Sequence, residues 1–244
     1  MQIDQRSNMR KNIFMGFLLA LAVVSCSSRT ENSYQVSGTL IGGGDPGTVY
    51  LEDRVDREFV VLDSGIVEDG RFIFEGELAQ LPYRYYFRVN EGSERQGFFL
   101  DAADMLLELN SDQPEESRLT GSVTEDAFQA YQSAGSAFEQ EKSRLYDEYK
   151  AAYAEDEQLK MAEIDSAYNA VDEAEKEFLL NWIKGNGSNA AAAYLTMRNS
   201  YRLELNELQD LFKAFSGQAL QSDYAAELDT FIATLAAVQV GEEA

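Results

Sequence analysis

The chain has 244 residues, a formal net charge of -23 and 45% hydrophobic residues. That acidic balance excludes nucleic acid, whose binding needs Lys and Arg to neutralise phosphates. No histidine and one cysteine are present, which excludes a Ser-His-Asp triad, a Cys-His pair and imidazole metal sites.

Residues 1–25 read as a bacterial export signal. Arg6, Arg10 and Lys11 supply a basic start, and residues 13–24 form an apolar run. The run is too short to span a bilayer, which needs about 20 residues. Met9 opens a compact signal by itself. The run ends in Ala22-Val23-Val24-Ser25-Cys26, followed by Ser27 and Ser28. This resembles the bacterial lipobox, which implies cleavage before Cys26 and lipidation on it. Ser27 rather than Asp at the next position favours the outer membrane over the inner. Glu31 is the one acid of the following stretch, which favours the periplasmic face over surface export. Residues 26–33 form a tether, and residues 27–33 reach roughly 23 Å when fully extended. With Cys26 acylated, no thiolate is left for redox chemistry, zinc or iron–sulfur. Carboxylate chemistry, Ser-Lys chemistry, hard oxygen-ligated ions or no chemistry remain.

Residues 34–122 carry the period of strands. Runs at 34–41, 48–52, 58–67, 71–78, 83–89, 97–100, 105–109 and 118–121 recur with turn signals between them, which predicts an antiparallel sandwich or barrel. Glu68-Asp69-Gly70-Arg71 is a hairpin turn, because Asp-Gly supports positive φ. Gly42-Gly43-Gly44-Asp45-Pro46-Gly47 is a connection. Its glycines suit an anion, but no helix follows to present its N-terminus, so a plain loop is the expectation.

Residues 123–240 switch to the helical period, making the whole an α+β chain. Thr124 is the predicted N-cap, with Glu125 and Asp126 in the first turn. Phe128, Tyr131, Gly135, Phe138, Lys142, Leu145 and Tyr149 follow spacings of three and four. After Glu155-Asp156-Glu157 the spacing resumes at Met161, Ile164, Tyr168, Val171, Glu175, Phe178 and Trp182. Matched seams around an acidic turn predict an antiparallel helical hairpin, with Lys142 and Glu175 as a candidate pair across it. Gly185-Asn186-Gly187 stops the second helix and Ser188 is the expected next cap. Further helices are predicted at 190–199 and 204–215, the latter closed by Ser216-Gly217. Ser222 caps a last helix running to about residue 238.

Three constellations invite a functional reading. Asp53, Asp56 and Glu58 supply oxygens for calcium, but Arg54 and Arg57 oppose it and a solvated turn is expected. Tyr83, Tyr85 and Phe87 alternate with Arg84, Tyr86 and Arg88. The first set belongs to the core. The second is either a stacking surface for a glycan or peptide or, as is commoner, an amphipathic outer face. Tyr146, Tyr149 and Tyr153 form an aromatic stripe whose ordinary role is packing. No carboxylate pair stands out as a glycosidase acid and nucleophile.

Several motifs combine into a known pattern. Tyr34-Gln35-Val36-Ser37-Gly38-Thr39-Leu40 follows the lipobox. Gly70-Arg71-Phe72-Ile73-Phe74-Glu75-Gly76, Gly97-Phe98-Phe99-Leu100 and Leu119-Thr120-Gly121-Ser122 come next. An Ile183-Lys184-Gly185-Asn186 stop and an Asn189-Ala190 helix start complete it. The chain resembles the N-terminal domain of unknown function that precedes a thioredoxin-like domain in many bacterial envelope lipoproteins. In that family a last helix leads into a thioredoxin-like domain carrying Cys-x-x-Cys. Val240-Gly241-Glu242-Glu243-Ala244 resembles the start of that lead-in, so 241–244 are expected to be its truncated beginning. The resemblance implies the scaffold and the compartment; the thiol pair that would do redox work has no counterpart here. The expectation is a non-catalytic accessory or scaffold module of a thiol-disulfide oxidoreductase system. No catalytic residue, metal or cofactor is expected. Its partners would be the membrane through Cys26 and a thioredoxin-like protein or envelope substrate. The alternative is a stand-alone envelope binding protein for a peptide or glycan, and an enzyme using carboxylates alone is a distant third.

Overall fold

In strand β1, Ser33–Ile41, every second residue from Tyr34 to Gly38 is buried, the outcome of a period of two on a sheet with one covered face. The computed structural model describes residues 32–42, 47–90 and 94–242. Seven more strands follow: β2 Thr48–Val55, β3 Glu58–Ile66, β4 Arg71–Glu77, β5 Tyr83–Val89, β6 Gln96–Leu100, β7 Asp104–Asn110 and β8 Arg118–Thr120. They form two four-stranded sheets, ordered β4-β1-β7-β8 and β3-β2-β5-β6. All pairings are antiparallel except β1 with β7, which run parallel. The expectation of a purely antiparallel sandwich is corrected at that pair. Strands so far apart in sequence are free of the hairpin constraint that forces neighbours to run antiparallel.

The sheets face each other over Val36, Phe72, Phe74, Leu107, Leu51, Tyr85, Phe87 and Leu100, all buried. Phe74 from one sheet and Phe87 from the other meet edge to face at 5.8 Å, a favoured aromatic geometry. Gly38 is needed beneath Phe72, since a Cβ there would lie 2.0 Å from the ring. Asp69 and Gly70, at φ 49° and 71°, make the predicted Asp-Gly turn between β3 and β4.

The helical region holds α1 Val123–Ala154, α2 Gln158–Gly185, α3 Ala190–Arg198, α4 Leu205–Lys213, α5 Gly217–Gln221 and α6 Asp223–Glu242. α1 and α2 form the predicted antiparallel hairpin. Two caps differ from expectation by one or two residues. Ser122, not Thr124, caps α1 by accepting from Glu125 N, and Asn189, not Ser188, caps α3 by accepting from Ala191 N. Thr124 is instead drawn into a bond with Asp101 across the junction, a tertiary partner that local propensity does not contain. Ser222 does receive Ala225 N at the start of α6. α5 has no counterpart among the expected elements, being a single short turn after Gly217. α6 runs to Glu242, through the first two residues of the expected lead-in.

The outer face of the second sheet is covered along β6 and at the start of β5. Phe99 of β6 is fully buried against Phe128 of α1, Tyr194 of α3 and Tyr224 of α6, at 5.3, 5.0 and 6.4 Å. Tyr224 also stacks on Tyr83 at 5.0 Å and accepts the Arg84 backbone N–H at 3.1 Å. Three consecutive side chains of β6, Phe98, Phe99 and Leu100, are therefore buried, as in a strand with both faces covered. The sandwich and the helices share this aromatic joint. Among the described residues, no helix is long and apolar enough to cross a membrane.

Candidate functional site

The hairpin seams meet through rings at their base. Tyr131 stacks on Phe178 at 5.5 Å and meets Trp182 edge to face at 5.2 Å, while Phe138 lies 5.6 Å from Phe178. One turn further along, the seam becomes ionic. Lys142 Nζ on α1 lies 2.6 Å from Asp172 and 2.7 Å from Glu175 on α2. Arg202, in the 3-10 turn Ser200–Arg202 after α3, reaches the same two carboxylates at 3.0 Å each. The Lys142–Glu175 pair read from the seam is present, enlarged to a quartet. Arg202 was not legible, because nothing in sequence spacing brings the turn after α3 to the hairpin, and Asp172 stands one residue past the seam position Val171.

This quartet lines an open cleft of about 880 Å³ bounded by α1, α2, α3 and the turn after it. Tyr131 lines it from within, and Tyr168 and Tyr201 stand at its rim, with Tyr201 82% exposed. Lys142 holds the Asp172 carboxyl below the ordinary range by hydrogen bonding, with Arg202 assisting. Burial pushes Glu175 up, but bonds and charge from Lys142 and Arg202 outweigh it and leave the group lowered. Burial likewise opposes charge on Lys142 and Arg202, and the facing carboxylates raise both. All four stay ionised near neutral pH. A carboxyl that shuttles protons works best with a pKa near the operating pH, and these two are shifted the other way.

A second polar cluster sits at the joint. Asp101, 6% exposed, accepts from Ser122 Oγ at 3.1 Å, Thr124 N at 3.0 Å and Thr124 Oγ1 at 2.7 Å. Glu125, 1% exposed, accepts from Phe99 N at 2.8 Å and Gln129 Nε2 at 2.7 Å. Burial raises its pKa, against those two bonds and the Arg84 charge. The Asp101 bonds and the Phe99–Glu125 bond tie the start of α1 to β6 and the residue that follows it, so the cluster is structural.

The residues singled out from sequence divide sharply. Cys26, its signal and the tether up to residue 31 lie outside the described residues, as do 43–46 of the glycine-rich connection and 243–244 of the lead-in, while Ser33, expected in the tether, already belongs to β1. Asp53 lies within β2 and accepts from Arg54 N at 2.6 Å. Asp56 and Arg57 take φ of 50° and 70° as the two-residue turn joining β2 to β3, a hairpin geometry of the primed type. Among the described residues, no group of three or more acids or cysteines could hold a metal ion.

The Arg84, Tyr86 and Arg88 set, expected as an amphipathic outer face, does point away from the sandwich core but is packed against other side chains. The Arg84 guanidinium lies over Phe99, Phe128 and Tyr194 at 5.4, 4.9 and 5.8 Å. Tyr86 meets Phe59 at 5.0 Å, and Arg88 pairs with Glu52 at 2.9 Å, both of these ions almost fully buried. Arg95 joins Glu52 at 2.6 Å. The helices and the crossing side chains of β2 and β3 use up the surface that stacking on a ligand would need. The tyrosine stripe is corrected. Tyr149 packs near Leu145, Ala152 and Ile164, whereas Tyr146 and Tyr153 are 60% and 70% exposed. They stand one residue after the seam positions Leu145 and Ala152, about 100° around the helix, where no second helix covers them.

Residues 34–128 match the family described as Domain of unknown function (DUF4369). The matched stretch takes in all eight strands after Ser33 and ends at Phe128, the α1 residue that meets Phe99. No curated protein and no solved structure matches the chain.

Proposed function

We propose that this chain is a lipid-anchored lipoprotein of the bacterial envelope, seated on the periplasmic face of the outer membrane through Cys26. It acts by binding and positioning rather than by catalysis, as an accessory module of a thiol-disulfide oxidoreductase system. The observation that carries the reading is the cleft between the helical hairpin and α3: it is open and ringed, and its carboxylates are held ionised by paired cations. The lipobox supports the anchor. The match of residues 34–128 to a domain of unknown function supports the first half of the family resemblance, and the thioredoxin link rests on the resemblance alone. The same cleft favours a second reading, a stand-alone binding protein for a peptide or glycan.

Two measurements test this. Lipid labelling of the protein in cells should vanish in Cys26→Ala; equal labelling of both forms overturns the anchor. An insulin-reduction assay on purified Cys26→Ala protein should stay at background, and activity there overturns the non-catalytic reading. The DNA downstream separates the two readings: an adjacent thioredoxin-like sequence with Cys-x-x-Cys supports the accessory role, and an unrelated gene after a long gap supports the stand-alone one.

A further inference from the structure

The charge of the cleft departs from that of the chain. Against a net charge of -23 overall, its lining holds three cations, Lys142, Arg198 and Arg202, and three anions, Glu139, Asp172 and Glu175. Four of these six are locked to one another in the quartet, and the other two have opposite signs. A cationic ligand would be drawn to the acidic surface generally, with no preference for this balanced cleft. An anionic ligand would meet the repulsion of the whole chain, and Arg198 alone among the lining cations stands outside the quartet to offset it.

Beyond charge, the cleft offers apolar surface from Phe128, Phe178 and Leu195 and a set of neutral polar groups. Tyr131, Tyr168 and Tyr201 supply ring faces and hydroxyls, Gln132 and Gln140 supply amides, and Ser136 supplies a hydroxyl. These groups donate and accept hydrogen bonds without carrying charge. The walls are helices, whose backbone groups are bonded internally, so an extended peptide would find no ladder to join. A neutral polyhydroxylated ligand needs no ladder: its hydroxyls pair with amides and phenols and its ring C–H faces lie on tyrosines. The volume of about 880 Å³ lies within the range of ligand clefts, about 300–1,000 Å³. We propose that this cleft binds a neutral oligosaccharide, with Tyr201 and Tyr168 as its stacking rim and Gln140 among its hydrogen-bonding groups. The proposal rests on the binding reading above and names the ligand class for it.

The test uses the soluble Cys26→Ala protein on an array of neutral oligosaccharides. Sialylated and sulfated glycans are included, with a library of hexapeptides as a separate arm. Hits are titrated by the fluorescence of Trp182, the single tryptophan of the chain, whose ring lies 5.2 Å from Tyr131. Neutral glycans should bind, and Tyr201→Ala should weaken that binding about five- to tenfold, the loss of one ring contact. Tyr201 is 82% exposed, so its variant should keep the wild-type circular dichroism and melting curve. Gln140→Ala, also exposed, gives a second check on a polar contact. Binding restricted to charged glycans, or glycan binding unchanged in both variants, overturns the proposal. Peptide binding sensitive to Tyr201→Ala without glycan binding overturns the sugar class and keeps the binding reading. No binding in either arm overturns both.

Discussion

Two acidic clusters pack against different parts of α1 and behave in opposite ways. At its start, Asp101 and Glu125 are sealed under the sheet–helix joint and accept from backbone N–H groups, hydroxyls and an amide. Two thirds of the way along, Asp172 and Glu175 face Lys142 and Arg202 in an open cleft. The residue types are the same. What differs is the partner: dipoles at the joint fix a helix start, and full charges in the open cleft keep its carboxylates ionised. Burial raises the Glu125 pKa, while paired cations lower those of Asp172 and Glu175.

The strongest blow to that contrast falls on the joint. Phe99→Ala removes the ring shared by β6, α1, α3 and α6 and should cost about 3–5 kcal/mol, measured by urea unfolding. If the helical signal melts separately while the sheets persist, the sandwich and helices are independent units and the joint is not what couples them. Asp101→Ala strips three donors of their acceptor in a buried setting and should cost about 3 kcal/mol by the same method. A loss under about 0.5 kcal/mol, the level of an ordinary surface substitution, would mean that water or a neighbour replaces it.

The pH dependence sharpens the comparison, because the two clusters have opposite signs. Asp172 and Glu175 have lowered pKa values in the fold. Their stabilisation is complete above the unfolded value, about 4, and is lost as pH falls through the folded one. Glu175→Gln should therefore be less stable than wild type at neutral pH, with the deficit closing under acid. Glu125 is raised in the fold. Its favourable contribution is complete below the unfolded value and is lost as pH rises through the folded one. Glu125→Gln should gain on wild type as pH rises through that window. Urea midpoints for both variants across the acid range check this, and slopes of the same sign would contradict it. The smallest effect is expected at Arg144, whose pairs with Glu141 and Glu148 lie on the exposed side of α1. Arg144→Ala should leave the unfolding midpoint unchanged, since solvent screens such pairs. A clear drop would place that face in an unrecognised contact.

Much of this was readable from local pattern. The alternation at Tyr34 and Val36 and the Asp69-Gly70 turn predicted strands and a hairpin that the structure contains. The spacing of three and four from Phe128 to Tyr149 and from Met161 to Trp182 predicted the paired helices and put Lys142 opposite Glu175. The misses share one cause. Arg84, Tyr86 and Arg88 alternate as an outer face would, yet that face is covered by helices and crossing side chains from elsewhere in the chain. Thr124 has the chemistry of a cap, yet it is turned to Asp101, and Ser122 takes the cap.

By itself, then, the sequence determined the export and anchoring signature at Cys26 as an expectation, the change from strand to helix period near residue 123, and the seam of the hairpin. Each depends on residues close in the chain, where side-chain period and turn chemistry act directly. Only the tertiary structure decided that β1 and β7 run parallel, that Phe99 joins two layers, and that Arg202 arrives beside Asp172 and Glu175 to make a balanced, open cleft. Those depend on contacts between distant segments, which packing selects and local pattern does not encode.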